Sequence, residues 1–216
     1  MRFSRYFLSP VLFVLIGLST AAVAKADVYL ITNSNFAGNQ NFGSITTTLV
    51  GNSIQVNVQL TAGWVLHGQG VGFNVVDPDG AVSVTGISSA FFTWPGGSGN
   101  LDGFGSFSYS VAGPTTAVAQ ANNLNSVTFT VNSNRNAGAG FTNANQLEEL
   151  SNQGWWFAVQ IAPSTPGGAT GFAASNTRGV DINPLGNVPE PASMILFGSG
   201  LMGLAAGIRR RRSRKN

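Results

Sequence analysis

The sequence predicts a mostly β protein, an antiparallel β-sandwich of jelly-roll-like kind with one short helix. An N-terminal signal peptide and a C-terminal transmembrane helix are predicted to flank it. Three observations lead there. Apolar and polar residues alternate with period 2 through residues 28–180, as they do in strands with one buried face. Turn-forming clusters such as DPDG and WPGGSGN separate the alternating runs. Each end of the chain carries an apolar stretch with arginines beside it.

The front reads MRFSRYFLSPVLFVLIGLSTAAVAKADVYL, with Arg2 and Arg5 ahead of an apolar stretch from Phe7 to Leu18. Small residues follow, and Ala24-Lys25-Ala26 forms an A-x-A site before Asp27. Residues 1–26 therefore read as a signal peptide that signal peptidase removes. The short apolar run and the small residues after it argue against a retained anchor. A cut after Ala22-Val23-Ala24 is the alternative and would begin the mature chain at Lys25.

Residues 27–187 form the predicted secreted domain. The clearest strand is SIQVNVQL, which places Ile54, Val56, Val58 and Leu60 on one face and Gln55, Asn57 and Gln59 on the other. SVTFTVN sets Val127, Phe129 and Val131 against Thr128 and Thr130, and FGSFSYSV sets Phe107, Tyr109 and Val111 against Ser106, Ser108 and Ser110. VYLIT, ITTTLV, VGFNVV, AVSVTG and WWFAVQI are further strands. Many short alternating strands favour a sandwich, with a closed barrel as the alternative. TNANQLEELSN breaks the alternation. Asn143 and Gln146 approximate a capping box there, and Leu147 and Leu150 are spaced for a short helix.

Composition narrows the chemistry. Charged residues make up 9% of the chain, against ~25% in an average soluble protein, so amides and hydroxyls must supply the hydrophilic surface. The net charge of +3 belongs to the ends: residues 27–191 hold eight acids and two bases, Arg135 and Arg178. A domain with that acidic balance offers no basic face for phosphates, so no nucleic-acid partner is expected. There is no cysteine, which excludes disulfides, thiolate metal sites and cysteine nucleophiles. A body of about 160 residues is large enough to rely on its core instead.

No catalytic, cofactor or metal site emerges. His67, the single histidine, sits in GWVLHGQGVGF without the nucleophile and orienting acid that a general base needs. GQGVG leads into a strand, so it lacks the helix N-terminus of a phosphate loop. Asp77-Pro78-Asp79-Gly80 has the chemistry of a β-turn, and Asp102 alone is too little to complete a calcium site with it. Glu148 and Glu149 are adjacent on the predicted helix, diverge, and read as solvating groups. Aromatic rings are the remaining candidates. Trp155 and Trp156 should point to opposite faces of a strand, and Trp94 lies in the loop FTWPGG. An exposed ring among these three would suit stacking on a sugar; the bland alternative is that they cap the core.

The C-terminal stretch divides into three parts. Residues 192–208 carry no charge and, as a helix at ~1.5 Å per residue, would span roughly 25 Å, enough for a thin bilayer core. Arg209, Arg210, Arg211 and Arg212 begin the basic tail 209–216, which would hold that end in the cytoplasm and leave the body outside it. Pro189-Glu190-Pro191 stands just before the apolar run. Taken in that order, residues 188–216 resemble the PEP-CTERM sorting signal of bacterial envelope proteins. The resemblance implies recognition by an exosortase, a membrane-embedded cysteine peptidase that cuts near the motif, with Pro189, Glu190 and Pro191 as recognition elements. It also implies an inner-membrane-anchored precursor whose body goes on to the envelope surface or extracellular matrix, in a setting of exopolysaccharide. GVGFNVV, LDGFGSFSYSV and GWWFAVQIAP loosely resemble the β-rich ectodomains that carry this tag. The expected function is a non-enzymatic envelope or biofilm-matrix protein. A carbohydrate-binding module using the tryptophans is the alternative, and a hydrolase is the weakest reading.

Overall fold

The computed structural model describes residues 26–76, 82–133 and 140–178. The predicted signal peptide up to Lys25, the turn at 77–80 and the whole C-terminal tag lie outside the described residues. Strands β1 (Ala26–Ile31), β2 (Asn33–Ser34), β3 (Gly43–Val50), β4 (Ser53–Leu60), β5 (Trp64–Phe73) and β6 (Val82–Thr85) form the first half. The second half contains β7 (Gly99–Leu101), β8 (Gly105–Phe107), β9 (Tyr109–Val111), β10 (Ser126–Ser133), β11 (Phe157–Pro163) and β12 (Gly171–Ser175). A short helix α1 (Thr116–Ala121) precedes β10, and a 3₁₀ turn (Ala144–Leu147) precedes β11.

The strands make two five-stranded antiparallel sheets, ordered β1-β3-β4-β10-β6 and β2-β12-β11-β5-β9, with β7 and β8 as a separate ribbon. A single buried cluster draws on both sheets. Ile45, Val56 and Phe129 come from the first, and Leu66, Phe73 and Val159 from the second. The alternation in β4 is the clearest cause. Ile54, Val56 and Val58 are fully buried, while Gln55 and Gln59 on the opposite face are exposed. In β10 the partners Val127, Phe129 and Val131 pair with Val58, Val56 and Ile54, so the inward faces of both strands coincide row by row.

The outer faces of the two sheets differ. The first sheet presents hydroxyls and amides, some joined across strands: Asn57 Nδ2 donates to Thr128 Oγ1 at 2.7 Å, and Ser53 Oγ to Asn132 Oδ1 at 2.8 Å. Over the second sheet, the β7–β8 ribbon packs Leu101, Phe104 and Phe107 onto Ala158, Phe172 and Ala174. Beside it, α1 sets Ala119 against Val65 and Ala162. Strands β11 and β12 are thus buried on both faces, and the small alanines there let a second layer approach closely.

Several boundaries differ from the sequence reading, each for a local reason. FGSFSYSV is not one strand. Ser108 N donates to Asn74 Oδ1 at 2.7 Å, and the chain changes layers there. Phe107 goes to the outer cluster, and Val111 to the core between the sheets. The predicted short helix is the 3₁₀ turn, with the full Asn143/Gln146 capping box in place. It stops at Leu147, which is fully buried, and leaves Leu150 exposed. Trp155 and Trp156 precede β11 instead of opening it. Helix α1, β2, β7 and β12 had no counterpart among the predicted elements.

Candidate functional site

His67 lies inside β5, buried to 4% exposure, with Nδ1 3.1 Å from the hydroxyl of Thr116 at the start of α1. Its Nε2 has no hydrogen-bond partner among the described residues. Burial pushes the imidazole below its usual pKa, and the Ile161 backbone opposes this in part. Burial thus favours the uncharged imidazole, which lies inside the sheet with Thr116 at Nδ1. Asp102 is exposed in the turn of the β7–β8 ribbon, where its carbonyl accepts from Asn35 Nδ2 at 2.8 Å. Among the described residues no group of three His, Asp or Glu side chains is placed to hold a metal ion.

The glycines after His67 form an irregularity in β5. Gly68 and Gly70 both have left-handed backbones, φ 57° and 64°. The register between β11 and β5 shifts between Val159 and Ile161, and Gln69 N donates to Gln160 Oε1 at 2.6 Å. A side chain on Gly70 would meet the Val111 carbonyl. GQG therefore serves the sheet.

Each candidate tryptophan is half-buried and engaged with another ring. Trp94 stacks on Tyr109 at 6.1 Å and on Phe73 at 6.4 Å, interplanar angles 27° and 22°. Trp155 meets Phe104 edge-on at 5.1 Å in the outer cluster. Trp156 meets Tyr29 edge-on at 5.8 Å against the inner core. The adjacent pair does diverge as expected, and the ribbon supplies the cover for Trp155. Among the described residues no ring contact joins Trp94 to either of them.

One polar cluster among the described residues was not anticipated. Glu148, read as a solvating group, accepts from Tyr29 Oη at 2.5 Å and from Arg178 Nη2 through both carboxylate oxygens. Arg178 Nη1 lies 3.8 Å from Asp27 Oδ1. The carboxylates of Glu148 and Asp27 are 13% and 14% exposed, and the guanidinium 41%. Burial first, and the Glu148 hydrogen bond second, hold the Tyr29 hydroxyl protonated well above its ordinary pKa. The Glu148 pair likewise raises the Arg178 pKa. One sequence signal pointed here: Arg178 is one of only two bases in the body, and a body short of counter-charge seldom leaves a carboxylate unpaired near one.

The described residues thus make a layered β body, and the part of the chain that matches a known family model lies in its tail. The model of the PEP-CTERM protein-sorting motif matches residues 187–212. No curated protein and no solved structure matches the chain. The chain carries a PEP-CTERM sorting motif, as Pro189-Glu190-Pro191 and the arginines from Arg209 to Arg212 indicated. The motif implies export, a membrane-held precursor and handling by an exosortase. It covers a small part of the chain.

Proposed function

We propose that this is a non-enzymatic protein of the bacterial envelope or extracellular matrix, a secreted β-sandwich delivered through its PEP-CTERM tag. The motif at residues 187–212 is the observation that carries the reading. In it, signal peptidase cuts the leader after Ala26, residues 192–208 hold the precursor in the inner membrane, and Arg209 to Arg212 keep the end in the cytoplasm. An exosortase then recognises Pro189, Glu190 and Pro191 and cuts beside them. Proline fixes its own φ and disfavours a helix at the residue before it, so a Pro-Glu-Pro sequence suits a peptidase groove that takes an extended strand.

A structural role for the body is supported by what its side chains do. His67 is spent on packing, and Trp94, Trp155 and Trp156 are spent on neighbouring rings. The outer face of the first sheet presents amides and hydroxyls, which can hydrogen-bond to water or to the hydroxyls of a polymer such as exopolysaccharide.

Intact mass of the protein from its native host, fraction by fraction, tests this. The expected species starts at Asp27 and ends between Pro189 and Pro191, with or without an added group. A membrane species that still carries Arg209 to Asn216 as the sole mature form would overturn it and make the tail a permanent anchor.

A further inference from the structure

The cluster around Glu148 stands where the described body ends. After β12 the chain leaves the second sheet and runs alongside β1 of the first. Leu30 N donates to the Thr177 carbonyl at 3.4 Å, and Tyr29 and Arg178 form an antiparallel bridge. Arg178 is the last described residue before the segment that leads to the sorting motif. Any pull on the tail therefore reaches Arg178 before it reaches β12.

Without a hold at Arg178, β12 would be poorly placed to resist. It pairs with β11 through the register from Ile161–Gly171 to Phe157–Ser175, and its other neighbour, β2, is two residues long. Tension entering at Ser175 would open those pairs one after another, each resisting alone. At Arg178 the resistance is shared. The guanidinium binds both oxygens of Glu148 and faces Asp27, and Glu148 is itself tied to Tyr29. Both anchor points are rooted in the core: Tyr29 is fully buried, and Glu148 follows the fully buried Leu147. One guanidinium nitrogen, Nη2, spans both carboxylate oxygens, and such charge-assisted bonds are stronger than neutral ones.

We propose that Asp27, Tyr29, Glu148 and Arg178 form a clasp that takes tension arriving through the C-terminal tail and passes it into β1, so that a pull does not unzip β12. This rests on the reading that the tail holds or attaches the chain. The clasp joins residues far apart in sequence, Tyr29 to Glu148 over 119 positions and Glu148 to Arg178 over 30, so it closes only once the whole body has folded.

The chain has no cysteine, so two introduced ones give unique handles for single-molecule pulling. Val50→Cys, at an exposed strand end, and Asn216→Cys would be placed in the full chain held in detergent. The expected trace shows the body opening in one event. With Arg178→Ala added, an earlier event at lower force should appear, lengthening the chain by roughly 20–30 Å as residues 171–178 come free. Traces with and without Arg178→Ala that superimpose would overturn the proposal. Salt gives a second reading that needs no variant beyond the handles. The guanidinium is partly exposed, so about 1 M salt should weaken the pair and lower the first opening force. An opening force that salt does not move would count against the clasp. Pulling reports on the clasp alone and intact mass on the tail alone, so the two readings fail separately.

Discussion

Trp155 and Trp156 are neighbours in the chain but pack into different cores: Trp155 edge-on to Phe104 outside the second sheet, Trp156 edge-on to Tyr29 between the sheets. An edge-to-face pair contributes ~0.5–1.5 kcal/mol beyond the area it buries. Trp155→Ala and Trp156→Ala should each lower stability by about 1–3 kcal/mol, less than a fully buried ring would, because both are half-buried. Urea denaturation measures this through the midpoint. An unmoved midpoint for Trp155→Ala would show that the ring adds little to packing and would favour the sugar-contact reading.

The same sheet carries a titratable group whose effect has a definite sign. Burial lowers the His67 pKa in the folded chain below its ordinary 6.5. The unfolded chain therefore takes up a proton as pH falls through about 6.5, while the folded chain does not until lower pH. The contribution of His67 is fully present above pH 6.5 and is lost as pH drops from there towards the folded pKa. Denaturation midpoints compared at pH 8 and pH 5 should fall on acidification, and His67→Asn should remove part of that fall. An identical pH dependence with and without the histidine would show that the imidazole titrates alike in both states.

Gly70 offers a test of the irregularity in β5. Its φ of 64° is strained for any residue with a side chain, and a Cβ there would meet the Val111 backbone, which has no room to give. Gly70→Ala should cost about 2–4 kcal/mol. Gly97→Ala is the control, with nothing within 4 Å of its Cβ position, and should stay within ~0.5 kcal/mol. Equal effects at the two positions would mean that β5 tolerates a regular backbone at Gly70.

The pattern of success in reading the sequence follows from which sheet a strand serves. β4 and β10 have one wet face, so Ile54, Val56 and Val58 alternate with Gln55 and Asn57 and were legible at once. β12 is covered on both sides, and GFAAS shows no alternation to read. The capping box at Asn143 was visible because its chemistry is local; the partner of Glu148 was not, because Tyr29 and Arg178 meet it only through the fold. Ser108 likewise looked like any other polar strand position until Asn74 captured its amide. The sorting motif was the most legible feature of all, since it is a linear order of Pro-Glu-Pro, apolar run and arginines that can be seen without knowing the fold.

That linearity makes Glu190 the most direct test of how the tail is read. Pro189 and Pro191 restrict the backbone on either side of it, which leaves the carboxylate as the only charged group the segment 188–208 can offer a peptidase. Glu190→Ala keeps both prolines and the apolar stretch, so insertion in the membrane should proceed as before. What should change is the cut. The precursor is expected to accumulate in the membrane fraction with Arg209 to Asn216 still attached, and intact mass of that fraction reads it directly. Glu190→Gln separates charge from shape: processing restored to the parental level would assign recognition to the side chain's hydrogen bonding, and continued failure would assign it to its charge. If Glu190→Ala is processed as fully as the parent chain, the prolines alone carry the signal and Glu190 has no part in it.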